Sequence, residues 1–590
     1  MKRTTFLPCF CSVLVWLAGF TAAPIVAQRV IRVNPGALGA NDGSSWANAY
    51  LLLQSALAAA SNGDELWVAA GVHTPGPVGS RTATFQLKTG VRIYGGFAGS
   101  ESNRAQRDPS SRETILSGDL SRNDQPNFIN NAENSYHVVT GSGTDSTALL
   151  DGFVIQAGNA SGSTSLYNSG AGMKIDHGSP TLANCVFRAN LGRVAGALLN
   201  LASSPVMTHC VFTNNIAQST FARGGAIYNA SGSAPVLVDC LFLSNLATGG
   251  ASAIDGGALF LEANCPATIS RCTFAGNRAA TSGGAVGNFS GGVTFMQCAF
   301  WNNSSGAGGA VWNGGTNFLF VNCAFAGNLA ASGGAILNYS STGILAGCTV
   351  AANVANEGGG LVNDQNSRTQ IRNSILWANA GTNSATALQE QVAHAGGASS
   401  SISFSCVQGL FVPQPGEPPP GPATFPGCTD ADPRFADLSG QRLHLRLGSP
   451  CIDAGDNSSL PPETTSDLNR GSRFVNELLA ADLGAGVPPL ADMGAYEYQG
   501  VTAEQIGQLI AGRETVGGVE MFTLEYRRDR SLTNVTVTAE SSPEVLPAAW
   551  GSSGLEFGEA SQDATTVMFK ARTPANSQPL QFFRLKIASP

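Results

Sequence analysis

Through the middle of the chain the apolar positions fall into columns that repeat every 25–32 residues. One column is cysteine (Cys185, Cys210, Cys240, Cys272, Cys298, Cys323 and Cys348), with Ser374 in the next place. Three residues before it stand Leu182, Met207, Leu237, Ile269, Phe295, Phe320, Leu345 and Ile371. Two residues after it come Phe187, Phe212, Phe242, Phe274, Phe300, Phe325, Val350 and Leu376. Polar markers keep the same step. Asn190, Asn215, Asn245, Asn277, Asn303, Asn328, Asn353 and Asn379 form one column. A Gly-Gly-Ala-apolar-x-Asn string follows it, as in Gly308-Gly309-Ala310-Val311 and Asn313.

The i, i+2 relation of Cys and Phe puts both side chains on one face of a strand. Helical i, i+3, i+4 spacing is not sustained, which argues against a helical solenoid. A fixed period of this length marks stacked repeats rather than independent domains. Short strands separated by Gly, Asn and Ser predict an all-β fold, a parallel β-helix. Each rung adds one strand to each of about three parallel sheets, rising roughly 4.8 Å. Like residues then stack, so the Cys, Phe and Leu/Ile columns are expected in the core. Asn tolerates the left-handed backbone of a tight corner, and stacked amides can bond from rung to rung. The Gly pair allows a turn and close packing.

Loop lengths are uneven. From the first Asn to the Gly pair the separation runs from 5 to 11 residues, but from the second Asn to the next Cys place it is 10 or 11. Insertions are therefore expected along one edge, at 216–223 and 246–255. Loops on a rigid scaffold are where binding concentrates. Phe221, Arg223 and Asp255 are the candidate binding residues there, weighed against loop drift with no ligand.

Outside the repeats the character changes. Residues 1–27 read as a secretory signal, with Lys2-Arg3, an apolar run and small residues ending at Ala27, where cleavage is expected. Residues 28–150 hold an Ala-rich stretch at 46–61, expected to be a helix capping the coil. First irregular rungs are expected at 91–97, 114–116, 136–140 and 149–155, with Phe153 in the cysteine column. Regular rungs run over 151–408, and a Pro/Gly-rich loop and closing segment over 409–500. Residues 503–590 alternate in strand fashion and predict a small antiparallel β domain of sandwich type.

A net charge of −8 over 590 residues leaves no basic footprint for nucleic acid. No stretch after the signal reaches the ~18 apolar residues of a membrane span. A secreted or cell-surface monomer is expected. The column cysteines are expected as buried thiols, because stacked neighbours sit wider apart than a disulfide prefers. Cys406, Cys428 and Cys451 lie outside the column and are better placed for bridges. Without paired Cys-x-x-Cys strings no metal or cofactor is expected.

The Phe-x-x-Asn and Gly-Gly-Ala-Ile strings resemble the repeats of the chlamydial polymorphic outer membrane proteins, which are surface adhesins. Trp46-Ala47-Asn48-Ala49-Tyr50, Gly63-Asp64-Glu65 and Tyr94-Gly95-Gly96-Phe97 are similar to the opening of right-handed β-helix proteins of the pectate-lyase-like superfamily. Ser449-Pro450-Cys451-Ile452-Asp453-Ala454-Gly455-Asp456 and Asp492-Met493-Gly494-Ala495-Tyr496-Glu497 resemble the family called choice-of-anchor Q, exported bacterial β-helices. These resemblances imply a right-handed coil and an exported protein.

Polysaccharide lyases and hydrolases share that architecture, so enzyme chemistry needs weighing. A hydrolase needs paired carboxylates on one exterior face. His209, Asp239 and Arg271 each precede a column cysteine on successive rungs, a base, an acid and a cation in one row. Against this stands a solvated face with weak ion pairing, which is the stronger reading. Ile175-Asp176-His177 faintly resembles a pectate-lyase string. The favoured function is non-enzymatic presentation of a surface for adhesion or glycan binding. The alternative is a polysaccharide lyase or glycoside hydrolase.

Overall fold

A computed structural model describes residues 29–248, 256–413, 423–477 and 480–499 in full, and six strands between 510 and 588 as backbone. Residues 1–27 and Asp255 therefore lie outside the described residues. The coil is built from parallel sheets of thirteen, twelve and eleven strands, with a five-stranded sheet at one corner. One rung shows how its sequence makes it. Met207 points inward from the strand Val206–Thr208, and His209 turns the chain with a left-handed φ of 52°. Phe212 points inward from Val211–Thr213, and Asn214 turns it again with φ 53°. The strand Ile227–Ala230 then closes the rung after the Gly pair. The next rung lies in strict register, Met207 opposite Leu237, Phe212 opposite Phe242 and Asn229 opposite Leu261.

The columns stack as the periodicity requires. Phe187, Phe212, Phe242, Phe274, Phe300 and Phe325 are buried, with successive ring centroids 4.6–4.9 Å apart and planes within 7°. Burying each ring contributes about 2–3 kcal/mol, and the offset stack adds geometry that a disordered apolar core lacks. The Asn column is fully buried from Asn190 to Asn353 and nearly so at Asn379. Each Nδ2 from Asn190 to Asn353 donates to the next Oδ1, as Asn215 does to Asn245 at 3.0 Å, and to a carbonyl one rung back, which is that of Phe187 for Asn215 and of Ile155 for Asn190. Gln391, on the short helix Ala387–Gln391, accepts from Asn379 at 2.7 Å and ends the ladder.

Two sequence expectations need correction. The left-handed residue at this corner is not the column Asn but the one before it, such as Ala189, Asn214, Ser244 or Asn302. The column Asn is spared for hydrogen bonding because its neighbour makes the turn. The capping helix spans only Leu53–Ala59, not 46–61. Trp46 instead packs on Phe97 and donates Nε1 to the Glu101 carbonyl, which holds its segment out of a helix. The shorter helix still buries Leu53, Ala56 and Leu57 against the first rung.

The column thiols are buried and unbridged, and no disulfide joins the described cysteines. They are more than apolar filler. Cys298 donates Sγ to the Ile269 carbonyl one rung back, at 3.5 Å, and accepts from the Cys272 N–H. The Ser374 hydroxyl accepts from the Cys348 N–H in the same way, which explains why serine fits this column. Cys406 and Cys451 lie in one buried cluster as free thiols. Val154 pairs with Val186, so Phe153 does stand at the cysteine level.

At the far end Leu410, Phe411, Phe425 and Cys428 pack on the last rungs. The rest of the closing segment does not sit on the end. It folds back along the coil, burying Phe435, Leu443, Ile452 and Met493 against the outward Ala324, Ala326, Ala351 and Ile375. This segment has little regular structure, so carboxylates take up its backbone N–H groups. Asp492 accepts from Asp453 and Tyr498, and Glu497 accepts from Val475 and Asp492. Beyond it the pairing becomes antiparallel: Val519–Asp529 with Ile510–Val516 and Thr566–Pro574, and Thr536–Ser542 with Phe582–Ala588.

Candidate binding face

The x of the Gly-Gly-Ala-apolar-x-Asn string sets a row on the outer side of the eleven-stranded sheet, where Trp312, Leu337, Val362 and Ala393 pack into a small buried cluster. The neighbours of x on either side point inward, so strand alternation turns x outward. Pairing aligns Lys174, Leu199, Tyr228, Phe260, Gly287, Trp312, Leu337, Val362 and Ala393 in one row. Two residues further along each strand, Phe289, Gly314 and Tyr339 form a second outward row. Phe289 and Tyr339 are 40% and 45% exposed, unusual for aromatic rings. Phe289 stacks on Trp312 with centroids 6.4 Å apart and an angle of 14°. The Trp312 ring lies across Gly314, where a Cβ would come within 2.0 Å of it. Glycine at 314 therefore lets the indole lie flat on the sheet.

The expected edge-loop residues meet this face only in part. Arg223 lies over the Phe260 ring at 5.1 Å and pairs with Glu262 at 3.3 Å. Tyr228 tilts against Phe260 at 5.8 Å, and burial with the nearby Glu262 charge pushes its hydroxyl up to about 12. Phe221 is 68% exposed at the loop tip. The aromatic rows themselves were not singled out from the sequence. The signal was there, in Tyr, Phe and Trp at a position written as x. Gly287 interrupts the first row and Gly314 the second, so Phe289 and Tyr339 stand two rungs apart. An aromatic face offers apolar area with little side-chain entropy to lose, suited to the C–H face of a sugar ring.

The candidate catalytic row does come together, as an ion-pair cluster. Asp239 accepts from Arg271 Nε at 3.0 Å and Nη2 at 2.9 Å, while His209 Nε2 stands 3.8 Å away. Arg470, from the folded-back segment, also pairs with Asp239 and was not foreseen. Hydrogen bonding to Arg271 holds the Asp239 carboxyl below the usual range and raises the Arg271 guanidinium in turn. A carboxylate held ionised by two guanidiniums is a poor proton carrier near neutrality. Further along the same corner, Gln297 and Asn322 donate to the Ser466 carbonyl, so this row clasps the closing segment. Asp176 and His177 pair at 2.6 Å on the surface. At the opposite end Glu65, Trp67, Arg104 and Arg107 line a cleft of about 580 Å³, with Glu65 tied up by Arg104 and Trp67 Nε1.

No helix of the described residues is long and apolar enough to cross a membrane. No curated protein matches the chain in sequence. Among solved structures, that of pectate lyase Pel9A is similar over 80% of this chain and 96% of that one, at 13% identity and a TM-score of 0.38. A rhamnogalacturonan lyase is similar over 70% of this chain and 97% of that one, at 12% identity and a TM-score of 0.34. Residues 152–325, and overlapping them 257–393, match the family described as right handed beta helix region, and with the rung register above this stretch is a right-handed parallel β-helix.

Proposed function

We propose that the chain is an exported, surface-presented β-helix that binds an extended polysaccharide without cleaving it. The observation that carries this reading is the exposed pair Phe289 and Tyr339 on one sheet, with Phe289 stacked on the largely buried Trp312. The rungs of that sheet repeat at a rise close to the length of one hexose, so an extended glycan can meet successive rungs in step. Export rests on the signal-like residues 1–27, and surface presentation on the resemblance to adhesin repeats and to choice-of-anchor Q proteins. The carboxylates of the candidate catalytic row and closing segment are engaged with arginines and backbone N–H groups, which favours binding over hydrolysis.

The test is a panel of polysaccharides, read for retention by affinity electrophoresis and for depolymerisation. At least one glycan should be retained without being shortened, and Phe289→Ala together with Tyr339→Ala should abolish that retention. Release of shortened or unsaturated products would replace this reading with that of a lyase or hydrolase. Retention that survives Phe289→Ala and Tyr339→Ala together would move the binding surface elsewhere.

A further inference from the structure

Asp119, Asp124 and Glu133 lie on the connection between the strands Thr114–Ser117 and Val139–Thr140. One carboxylate oxygen of each falls within 4.8 Å of the others. Among the described residues none of the three forms an ion pair with Lys, Arg or His. The nearby arginines are engaged elsewhere. Arg81 donates Nε to the Asn134 carbonyl and lies over the Tyr136 ring, and Arg122 reaches the Val72 carbonyl. Three like charges this close repel strongly unless a cation or protons intervene.

A second, independent observation comes from Asn134, which is only 1% exposed. Its amide adjoins the cluster, with Nδ2 donating to Asp124 Oδ2 at 2.7 Å and to the Ala157 carbonyl at 2.8 Å. Its Oδ1 is buried with no hydrogen-bond partner, and so are Asp124 Oδ1 and Glu133 Oε1. A buried oxygen without a donor is costly, and here three of them come from two carboxylates and one amide that adjoin each other. Asp119 is positioned by the loop itself, accepting from the N–H groups of Asn123 and Asp124.

We propose that Asp119, Asp124, Glu133 and the Asn134 amide oxygen form a calcium site that fastens residues 118–135 to the coil. The donors are all oxygen, hard and mixed between carboxylate and amide, which suits Ca²⁺. The absence of His and Cys from the set disfavours zinc. The irregular loop tolerates the variable geometry Ca²⁺ accepts better than the strict octahedron Mg²⁺ demands. The cluster was missed in the sequence because its spacing matches no ligand motif.

The experiment is calorimetric titration of the purified chain with Ca²⁺ and with Mg²⁺, alongside amide hydrogen exchange with Ca²⁺ or chelator. Saturable Ca²⁺ binding is expected, with exchange slowed within residues 118–135 and Mg²⁺ binding weaker. Asp124→Asn and, separately, Glu133→Gln should each weaken Ca²⁺ affinity by about tenfold or more, with the coil's circular dichroism unchanged. The proposal fails if Ca²⁺ neither binds nor slows exchange in that loop. It also fails if both variants that retain the coil bind Ca²⁺ as the parent does.

Discussion

Asn303 donates its Nδ2 to Oδ1 of Asn328 at 3.0 Å, and both side chains are fully buried. The same Nδ2 reaches the Phe274 carbonyl at 2.9 Å, while Asn303 Oδ1 accepts from the Asn277 backbone and amide. One side chain thus serves three rungs. Asn303→Ala orphans these groups, and each buried group left unpaired costs on the order of 1–3 kcal/mol. Denaturant unfolding should show a loss of at least that size.

Phe300 stacks on Phe274 at 4.9 Å and on Phe325 at 4.6 Å, in mid-coil. Phe300→Ala opens a cavity that rigid neighbours cannot close, and should cost roughly 3–5 kcal/mol. Unchanged thermal stability would show that the stack is not core.

Gly314→Ala sets a Cβ within 2.0 Å of the Trp312 ring. The indole must lift from the sheet, since the contacted atoms belong to a rigid ring. Glycan retention should fall, because Phe289 stacks on that indole, and the melting temperature should fall too, because Trp312 is packed with Leu337 and Val362. Retention equal to the parent would sever the link between the flat indole and binding.

Arg473 is fully buried with Glu497, Nη1 to Oε2 at 3.5 Å, and Asp492 adjoins them. Burial, aided by the Asp492 charge, raises the Glu497 carboxyl to about 9, and burial raises Asp492 to about 7. A raised folded value means proton uptake on folding. That contribution is complete below the ordinary carboxyl range and is lost as pH rises through about 7 and then about 9. Melting temperature should therefore fall between pH 6 and 9. Arg473→Met removes the only buried cation of the cluster and should cost roughly 3–5 kcal/mol at pH 8, and less at pH 5, where the carboxyls take up protons.

The strands between 510 and 588 pair antiparallel with one another, a pattern unlike the parallel rungs of the coil. Removing residues 503–590 should leave the coil's circular dichroism and melting intact. Collapse of the coil on truncation would show that the antiparallel strands support it.

The coil was legible because its contacts recur at fixed separations. Cys298 meets Cys272 across 26 residues and Asn303 meets Asn328 across 25, so each contact is written again in the next rung. A column of like residues at a constant step has one stable solution, stacking on itself. The outward aromatic face was less legible, because strand alternation shows which way x points but not which sheet remains open. That depends on the closing segment, which covers the outward Ala324, Ala351 and Ile375 and leaves Phe289 and Tyr339 exposed.

By itself, the sequence determined the repeat, the strand register and the buried Cys, Phe and Leu/Ile columns, since these follow from periodic spacing and steric pairing alone. Tertiary structure alone decided the contacts that occur once. Arg470 reaches Asp239 across 231 residues, and Gln297 holds Asp467 across 170. It also brought Asp119, Asp124 and Glu133 together from an irregular loop. The physical reason is that a contact made once between irregular segments has no period. It exists only because the folded-back chain, stiffened by its buried carboxylates, brings those side chains to the same place.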